Sequence, residues 1–573
     1  MRLSPSIRRA TIAATAGAAL VPAAAHPQHP EGAIPTAAHV RPDYEPVGEE
    51  AAAAWRADIE QFGAELERRH GDVFHTTDRA SFEAALADLA ARVPGLARHE
   101  IVAGLMRVAA SIGDGHTAVQ ALFDPAVGLR PVPVRFAEFE EGVFVRAAGP
   151  GAEELAGAEL VAVGDASIEA ARAALAPLVA RDNDIWLRVV VPTYLGFPEI
   201  LHAVGLSNDP ERATYTFRTA SGDVIRELPA GEPLVLSHGP EAIPRGWADA
   251  RPPQAWQPPA ALRPRPLPYW SAYLPDEATL YVRFDQVNDA PHGPGVHEFF
   301  RTSFADAEER GMRRVILDIR ANHGGEGMLN YGIVREILSR PRLNRPGGVY
   351  VIIGRGTFSA AQMLAHMLDL WTDAVFVGEP TGSSPRFWGD HAVFRLKNSG
   401  ILVSASPTWW QPGGPYDLRS FLPPTWAFEP RFDDYVAGRD PAIESILGDA
   451  PVSLERRVRD ALAGGSADSL PAVVRSWATD PVNRYVPATS ELNGVGYALL
   501  GEGSTEAALA VFRSNVQLHP GYANGWDSLG EALLAAGRHD EGLAAYRRAY
   551  ELDPGVGRAA EVLERAGERR PGS

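Results

Sequence analysis

The sequence contains no cysteine among its 573 residues. Disulfide bonds, a catalytic thiolate and a cysteine-bound zinc ion are therefore excluded. Lysine is almost absent as well, because Lys397 is the single example. Any mechanism in which a lysine acts as the base would have to use that one residue. The lack of cysteine is compatible with an oxidising compartment.

A basic surface and a long apolar run are also missing. The formal net charge is -18 at pH 7, whereas a nucleic-acid footprint requires a basic face, so we expect no nucleic-acid partner. No stretch beyond the N-terminus approaches the roughly 18 consecutive apolar residues of a membrane-spanning helix, so we expect no integral membrane segment. The balance of 45% hydrophobic and 22% charged residues is that of a globular protein long enough for several domains.

The N-terminus has the parts of an export signal. Three arginines lie within the first nine residues, and residues 10–20 are small and apolar. The triplet Ala23-Ala24-Ala25 then fits a small-x-small cleavage site. We therefore expect residues 1–25 to be a signal peptide and the mature chain to begin near His26. Such a protein would be exported to the periplasm or the extracellular space.

Hydrophobic spacing predicts helices first and a mixed region second. In residues 49–130, apolar side chains recur three or four positions apart, as at Trp55, Ile59 and Phe62, which predicts a small helical domain. Residues 131–250 mix strand-like and helix-like pieces. This second region is predicted to form a β/α module.

A proline-rich stretch separates these regions from an alternating one. Residues 251–268 contain seven prolines, which predicts an extended linker at a domain boundary. From residue 269 to residue 447, strand patterns such as Thr279–Phe284 alternate with helix patterns such as 297–310. This alternation predicts an α/β domain with a largely parallel sheet.

The C-terminal part repeats itself with a period of 34 residues. The matching pairs are Gly496/Gly530, Leu500/Leu534, Gly503/Gly537, Phe512/Tyr546 and Pro520/Pro554. A 34-residue period with two helices per unit resembles the tetratricopeptide repeat. We therefore expect helical repeats over residues 466–567, preceded by a further helical pair near 451–484 that caps the stack. The resemblance implies a surface for a protein partner or a substrate segment.

Ser359 lies in the most informative segment of the chain. A run of mainly β-branched residues, Val349–Ile353, predicts a buried strand, a glycine turn follows, and Ala360 opens a helix pattern. At such a junction, the positive helix end and free backbone N–H groups favour a developing oxyanion. Serine is also a frequent helix N-cap. The segment alone leaves both roles open.

Three further segments contain candidate functional residues. A strand runs into Gly324-Gly325, where the backbone can approach a ligand and offer an N–H, although a plain glycine turn has the same pattern. His116 follows a tight turn in Ser111-Ile-Gly-Asp-Gly-His-Thr117 and is a candidate general base. Asp417 is a candidate for orienting a base histidine, although a surface turn residue fits its position as well.

Together these motifs resemble a known family. The segments are LDIRANHGG (317–325), GRGTFSAAQ (354–362), VGEPTGSSPRFWGD (377–390) and DYVAGRDPAIESIL (434–447). They resemble the catalytic domain of tail-specific, C-terminal processing serine peptidases, and IGDGHT is typical of the tricorn-core-like branch. The resemblance covers residues 49–447. It implies a crotonase-like (ClpP/crotonase) α/β core preceded by a PDZ-like module, here divergent, in which GAELVAVGD (157–165) is similar to the PDZ strand-turn element.

The resemblance also implies roles for individual residues. Ser359 aligns with the nucleophile of the family and His116 with the base of the branch. The N–H of Gly324 or Gly325, together with that of Ala360, would form the oxyanion hole.

The resemblance further implies a late acidic residue that steadies the histidine. Asp417, which lies 58 positions after Ser359, is the first choice, and Glu379 and Asp390 are rivals. One departure is Gly115, which stands where the branch can have a serine.

Lys397 distinguishes between two branches of the family. The Ser/Lys branch would have its lysine at the position that Ser384 occupies here. Lys397 lies instead in a strand-turn pattern. The resemblance therefore favours a histidine base.

The sequence thus predicts an exported serine endopeptidase that acts through an acyl-enzyme and needs no metal or cofactor. Its expected partners are a peptide or protein substrate and a protein bound by the repeats. The alternatives are a non-catalytic ligand- or peptide-binding protein on the same scaffold, since similar cores also host ligand binding, and an adaptor based on the repeats.

Overall fold

The structure is a computed structural model that describes residues 44–122, 124–232, 243–251, 267–448, 450–465 and 467–567. It divides into two compact units, whose described parts are 44–451 and 452–567. The predicted signal peptide, 1–25, lies outside the described residues, and so does most of the proline-rich stretch. No helix in the described ranges is long and apolar enough to cross a membrane.

The first unit opens with helices. They are α1 (Gly48–Arg69), α2 (Arg79–Arg92) and α3 (Arg98–Ser111). The predicted apolar stripe of α1 is confirmed, because Ile59 and Phe62 are buried together. After α3 the chain turns through His116 into a short strand, β1 (Ala118–Val119).

An antiparallel sheet follows in the chain. Its strands are β2 (Val134–Glu138), β3 (Val143–Ala148), β4 (Glu159–Val163), β5 (Ala166–Ser167), β6 (Arg212–Thr219), β7 (Gly222–Pro229) and β8 (Ala248–Asp249). The order is β2-β3-β4-β6-β7, with β5 beside β4 and β8 beside β3. The helices of this region are α4 (Ile168–Leu175), α5 (Leu187–Tyr194) and α6 (Pro198–Ala203).

These helices and this sheet share one hydrophobic core. Phe62 and Leu105 of the helical region belong to the same buried cluster as Val145 and Phe217 of the sheet. The sequence divided the two regions at residue 130, whereas the structure packs them as one body. Apolar periodicity shows which face of an element is buried but not which element covers it.

A six-stranded sheet forms the centre of the α/β region. Its strands are β9 (Tyr269–Leu274), β10 (Thr279–Phe284), β11 (Arg314–Asp318), β12 (Val349–Ile353), β13 (Val375–Gly378) and β18 (Trp426–Ala427). The order is β18-β13-β12-β11-β10-β9. All neighbours pair in parallel except β9 with β10, so the predicted α/β alternation with a largely parallel sheet is confirmed.

Helices cover both faces of this sheet. They are α7 (Val296–Glu309), α8 (Asn330–Leu338), α9 (Ala360–Trp371) and α11 (Pro441–Leu447), whereas α10 (Phe432–Ala437) packs through Phe432 on Phe144 of β3. Along β12, Val349 and Val351 pack on the side of α7 to α9, whereas Tyr350 and Ile352 pack on the side of α11. Burial of both faces explains the continuous apolar run in β12.

Two small sheets connect the helical region to the α/β region. Their strands are β14 (Phe387–Gly389), β15 (Ala392–Arg395), β16 (Leu402–Ala405) and β17 (Thr408–Trp410), together with β1. β1 pairs with β16, with Ala118 opposite Ser404, and β14 pairs with β17. The turn that carries His116 is therefore held against the α/β region by the strand that follows it.

The second unit is entirely helical. Its helices are α12 (Leu454–Ala463), α13 (Leu470–Ala478), α14 (Ala488–Gly501), α15 (Thr505–Leu518), α16 (Ala523–Ala535), α17 (His539–Leu552) and α18 (Ala559–Arg565). Its buried clusters contain residues of this unit alone. Helices α12 and α13 precede the repeats and pack on them, in the stretch near 451–484 where the sequence predicts a capping helical pair.

The 34-residue period has a structural cause. A Cβ on Gly496 would lie 2.5 Å from the ring of Phe512, and a Cβ on Gly530 would lie 2.8 Å from the ring of Tyr546. The close contact between a glycine and an aromatic ring therefore recurs after 34 residues, and any side chain in place of either glycine would collide with the ring. The chain is a mixed α/β protein with a helical C-terminal region.

Candidate active site

Ser359 lies at a strained strand-turn-helix junction. It follows β12 by one turn and occupies the N-cap position of α9, with φ 53° and ψ −125°. Such a positive φ is uncommon outside glycine and marks a backbone held under constraint. The Ser359 side chain makes no capping hydrogen bond. Ser359 therefore occupies the N-cap position without acting as a cap, and its hydroxyl is available for another role.

Gly324 packs directly against this serine. Its φ is 105°, and a Cβ at this position would lie 2.6 Å from the Cβ of Ser359 and 2.8 Å from the nitrogen of Ala360. Any side chain would therefore collide with the candidate nucleophile. A plain glycine turn would need the positive φ but not this close approach.

Two backbone N–H groups, one directly after Gly324 in the chain and one directly after Ser359, have no acceptor among the described residues. The N–H of Gly324 is used, because it donates to Oδ1 of Asn322 at 2.9 Å. The N–H groups of Gly325 and Ala360 donate to no described residue. Of the two glycines that the sequence left open, Gly325 is therefore the one with a free donor. The free N–H of Ala360 lies at the start of α9, and backbone donors of this kind suit an oxyanion.

His116 is buried between aromatic rings. Its ring centroid lies 4.8 Å from that of Phe358, 5.4 Å from that of Phe387 and 5.4 Å from that of His391. Phe358 is the residue directly before Ser359, so the structure brings the two predicted segments together. Neither ring nitrogen of His116 meets a hydrogen-bond partner at bonding geometry within the described ranges, and Ser359 is no exception.

The environment of His116 favours the neutral imidazole. Burial, with a smaller effect from the nearby His391 ring, lowers the pKa of His116 to about 3. The Asp114 carboxylate and the Trp388 carbonyl oppose this shift without cancelling it. The ring is therefore uncharged at neutral pH, which is the form that accepts a proton.

The prediction that Asp417 orients His116 is not borne out by its contacts. Oδ2 of Asp417 lies 3.0 Å from Nε2 of His366, on α9, and the carboxylate also receives hydrogen bonds from Arg419. Asp417 accepts no hydrogen bond from His116. Chain spacing predicted a late acid but could not indicate which histidine the acid would meet.

The two rival acids also have other partners. Glu379 pairs with Arg355 at 2.9 Å, and Arg188 lies 3.9 Å away. Asp390, with φ 65°, accepts a hydrogen bond from Trp410 at 3.3 Å. No acid of the predicted set therefore contacts His116 among the described residues.

The acid nearest to His116 in sequence was missed. Oδ1 of Asp114 accepts from the backbone N–H of His116 at 2.9 Å and from that of Thr117 at 2.7 Å, and Ser406 also donates to it. Burial would raise the pKa of Asp114, but hydrogen bonds from His70 and Ser406 lower it to about 2. An aspartate that accepts from the next residues of its own turn is a recognisable sequence signal.

His70, His75 and Asp114 form a group with the side chains of a metal site. Their candidate ligand atoms lie within 4.8 Å of one another. The backbone N–H of Asp72 donates to Nδ1 of His70 at 2.9 Å, so the ring proton is on Nε2 and faces Asp114 at 3.0 Å. A hydrogen-bonded His–Asp pair accounts for this geometry. The geometry of these three residues does not test the prediction that the reaction needs no metal or cofactor.

Gly115 explains one departure from the family pattern. A Cβ on Gly115 would lie 2.5 Å from the ring of Phe358. A serine at this position would therefore disturb the ring that stacks on His116.

Lys397 is exposed in the turn between β15 and β16, where its backbone N–H donates to Gln61 of α1. Ser384, at the spacing of the lysine branch, donates to the carbonyl of Ser420. The hydrogen bond of Lys397 is therefore to α1 and not to the segment that carries Ser359.

No protein-family model and no curated protein matches the sequence. Solved structures that match this chain include mature CPAF complexed with lactacystin, at 12% identity and a TM-score of 0.46, covering 68% of this chain and 96% of that chain. They also include the photosystem II D1 C-terminal processing protease, at 15% identity and a TM-score of 0.33. That match covers 68% of this chain and 98% of the protease.

For the repeats, a match is the first TPR of Spaghetti (RPAP3) bound to an HSP90 peptide, at 18% identity, 20% and 87% coverage and a TM-score of 0.15. Among these neighbours, one is a C-terminal processing protease and one is a tetratricopeptide repeat. The proposed function below rests on the geometry of the site itself.

Proposed function

We propose that the chain is a serine endopeptidase that hydrolyses peptide bonds through an acyl-enzyme. The observation that supports it best is Ser359, whose backbone is strained, whose hydroxyl makes no capping hydrogen bond and whose neighbour Ala360 has an N–H without an acceptor among the described residues. A nucleophile needs an exposed hydroxyl and donors preorganised around the developing oxyanion. A helix cap needs neither of these.

The proposed chemistry uses the chain's own residues. Oγ of Ser359 attacks the carbonyl carbon of the scissile bond while His116 takes the hydroxyl proton. The N–H groups of Gly325 and Ala360 receive the oxyanion, and the positive end of α9 stabilises its charge. The proton then passes from His116 to the leaving amine, and the acyl-serine forms. Water, activated by the same imidazole, releases the acyl group and restores Ser359.

This reaction requires a movement that we include in the proposal. His116 is held between Phe358 and Phe387 and has no hydrogen bond to Ser359. Substrate binding would have to turn Phe358 out of the stack and let a nitrogen of His116 face the hydroxyl. Catalytic hydrogen bonds often form only in the substrate complex.

The domain architecture would be that of the tail-specific, C-terminal processing serine peptidases. We propose that 269–447 is a crotonase-like catalytic domain and that 131–250 contains a divergent PDZ-like module. The helical region 49–130 would supply the base. We also propose export after loss of residues 1–25, with a protein partner bound by the helical repeats.

Hydrolysis of a quenched fluorescent peptide library tests the proposal. The native protein should cleave internal bonds, whereas Ser359→Ala should be inactive although folded. Ser384→Ala is the matched control, because it removes a hydroxyl that bonds to the Ser420 carbonyl and plays no part in the proposed reaction. Equal cleavage by Ser359→Ala and the native protein would contradict the proposal.

A second candidate function is binding without catalysis. It is favoured by one observation, the burial of His116 with both nitrogens unpartnered. If the stack of Phe358 and Phe387 on His116 never opens, the site around Ser359 would hold a peptide without cleaving it. Peptides retained intact by the native protein, with equal affinity for native protein and Ser359→Ala, would identify this function.

A further inference from the structure

A carboxylate from another part of the chain reaches the turn that carries His116. Asp182 lies between α4 and α5. Its Oδ1 accepts the backbone N–H of Gly115 at 2.8 Å, and its Oδ2 accepts the hydroxyl of Ser383. Ser383 is fully buried in the loop after β13. One side chain therefore joins the His116 turn, the β/α module and the α/β region.

The backbone donors of the turn are divided between two acids. The N–H groups of His116 and Thr117 donate to Asp114, which belongs to the same turn. The N–H of Gly115 donates to Asp182. Asp182 is thus the one acceptor for these three groups that comes from outside the turn. An internal bond shapes a turn, whereas an external bond fixes where the turn lies.

The residues after Asp182 are docked on the same surface. The side-chain amide of Asn183 donates to the carbonyl of Ser420 at 2.7 Å. The ring of Trp186 stacks on that of Phe358 at 4.4 Å, and Phe358 in turn stacks on His116. Asp182 therefore contacts the His116 turn, and Trp186 contacts the ring that stacks on His116.

We propose that Asp182 is a positioning residue, which places the imidazole of His116 relative to Ser359 by holding the Gly115 N–H. This inference rests on the proposed function for its effect on catalysis. It adds a residue of the β/α module to the machinery of the α/β domain. It also explains why one carboxylate contacts two segments that lie far apart in the chain.

The protonation chemistry of Asp182 supplies a conservative variant. Burial raises the pKa of Asp182 to about 7, against hydrogen bonds from Ser383 and Gly115, and the negative charge of Asp114 raises it further in the same direction. Either protonation state keeps an oxygen that can accept the Gly115 N–H. Asparagine has the same shape, one acceptor and a donor that can face Ser383. Asp182→Asn should therefore hold the turn, whereas Asp182→Ala should release it.

Steady-state kinetics with a cleaved peptide are the first arm of the test. Asp182→Ala should lower kcat about 10- to 100-fold with KM within about twofold, because a misplaced base affects the transition state rather than ground-state binding. Asp182→Asn should return kcat to within about threefold of the native value. Asp184→Ala, at an exposed neighbour that pairs with Arg181, is the matched control and should be unchanged.

Amide hydrogen exchange of the peptide 111–119 is the second arm and requires no activity. Asp182→Ala should exchange faster there than the native protein, and Asp182→Asn should not. Unchanged kcat and unchanged exchange in folded Asp182→Ala would overturn the inference, as would a change in KM alone. An active Ser359→Ala would instead overturn the proposed function, and the exchange arm would still decide whether Asp182 holds the turn.

Discussion

Replacement of Gly324 by alanine gives a strong test of the geometry around Ser359. The new Cβ would lie 2.6 Å from the Cβ of Ser359, 2.8 Å from the nitrogen of Ala360 and 3.1 Å from the carbonyl oxygen of Phe358. Two of these atoms are backbone atoms and cannot rotate away. The backbone must therefore shift at the place where the proposed nucleophile and one oxyanion donor meet.

Gly324→Ala should have two separable effects, one on the free energy of unfolding and one on kcat. Alanine at φ 105° should cost about 1–2 kcal/mol of stability for its left-handed backbone alone. Displacement of one oxyanion donor should lower kcat about 10²- to 10³-fold. The first part reports on backbone conformation and the second on the site.

Gly293→Ala is the matched control for the first part. Gly293 has φ 121°, and a Cβ there would meet no atom within 4 Å. Urea unfolding should show a loss of stability for both variants, larger in Gly324→Ala because its Cβ also collides with Ser359 and Ala360. Peptide hydrolysis should remain near the native rate in Gly293→Ala and fall steeply in Gly324→Ala. Native kcat in folded Gly324→Ala would refute the placement of the oxyanion site.

The other predictions address the base, the repeats and pH. His116→Ala and Ser359→Ala should each lower kcat on the order of 10⁴-fold or more, with little further loss in the double variant, whereas Lys397→Met should keep most activity; an inactive Lys397→Met beside an active His116→Ala would return the protein to the lysine branch. A chain truncated after Leu447 should keep turnover of a small peptide ester and act less on a protein substrate, because the second unit has its own core; loss of ester turnover in a folded truncation would contradict this. Burial lowers the pKa of His116 from 6.5 to about 3, so the unfolded chain binds a proton that the folded chain does not, and the free energy of unfolding should fall as pH drops below about 6.5. In urea unfolding, His116→Gln should show a shallower fall between pH 7 and pH 5, and an equal fall in both proteins would show that the histidine is not buried in the neutral form.

Local patterns in the sequence predicted the elements that carry the site. The β-branched run Val349–Ile353 is β12 with the predicted bounds, and the helix after Ser359 begins at Ala360. Strand period, glycine turns and helix starts are properties of neighbouring residues, so they are readable in the sequence. The 34-residue offset was equally readable, because each repeat uses the same glycine–aromatic contact.

Long-range partners were not readable in the same way. Asp417 meets His366 instead of His116, although both histidines belong to the same unit. Asp182 reaches Gly115 from a different module, and no local pattern connects those two positions. Such pairings depend on how modules pack, and a periodic pattern carries no information about the element that lies opposite.

The aromatic stack around His116 has the same origin. Phe358 adjoins Ser359 in sequence, but Phe387 comes from β14, and Trp186 precedes α5. Two parts of the chain thus enclose the imidazole, and Trp186 from a third part stacks on Phe358. The pKa of that imidazole follows from the enclosure, so it could not be derived from the IGDGHT motif alone.

The central claim is that Ser359 is a nucleophile. A serine-directed fluorophosphonate, applied to the native protein and followed by peptide mass spectrometry, measures this directly. One adduct is expected, on the peptide that contains Ser359, and it should disappear in folded Ser359→Ala. An unmodified native protein, or an adduct that persists unchanged in Ser359→Ala, would contradict the claim.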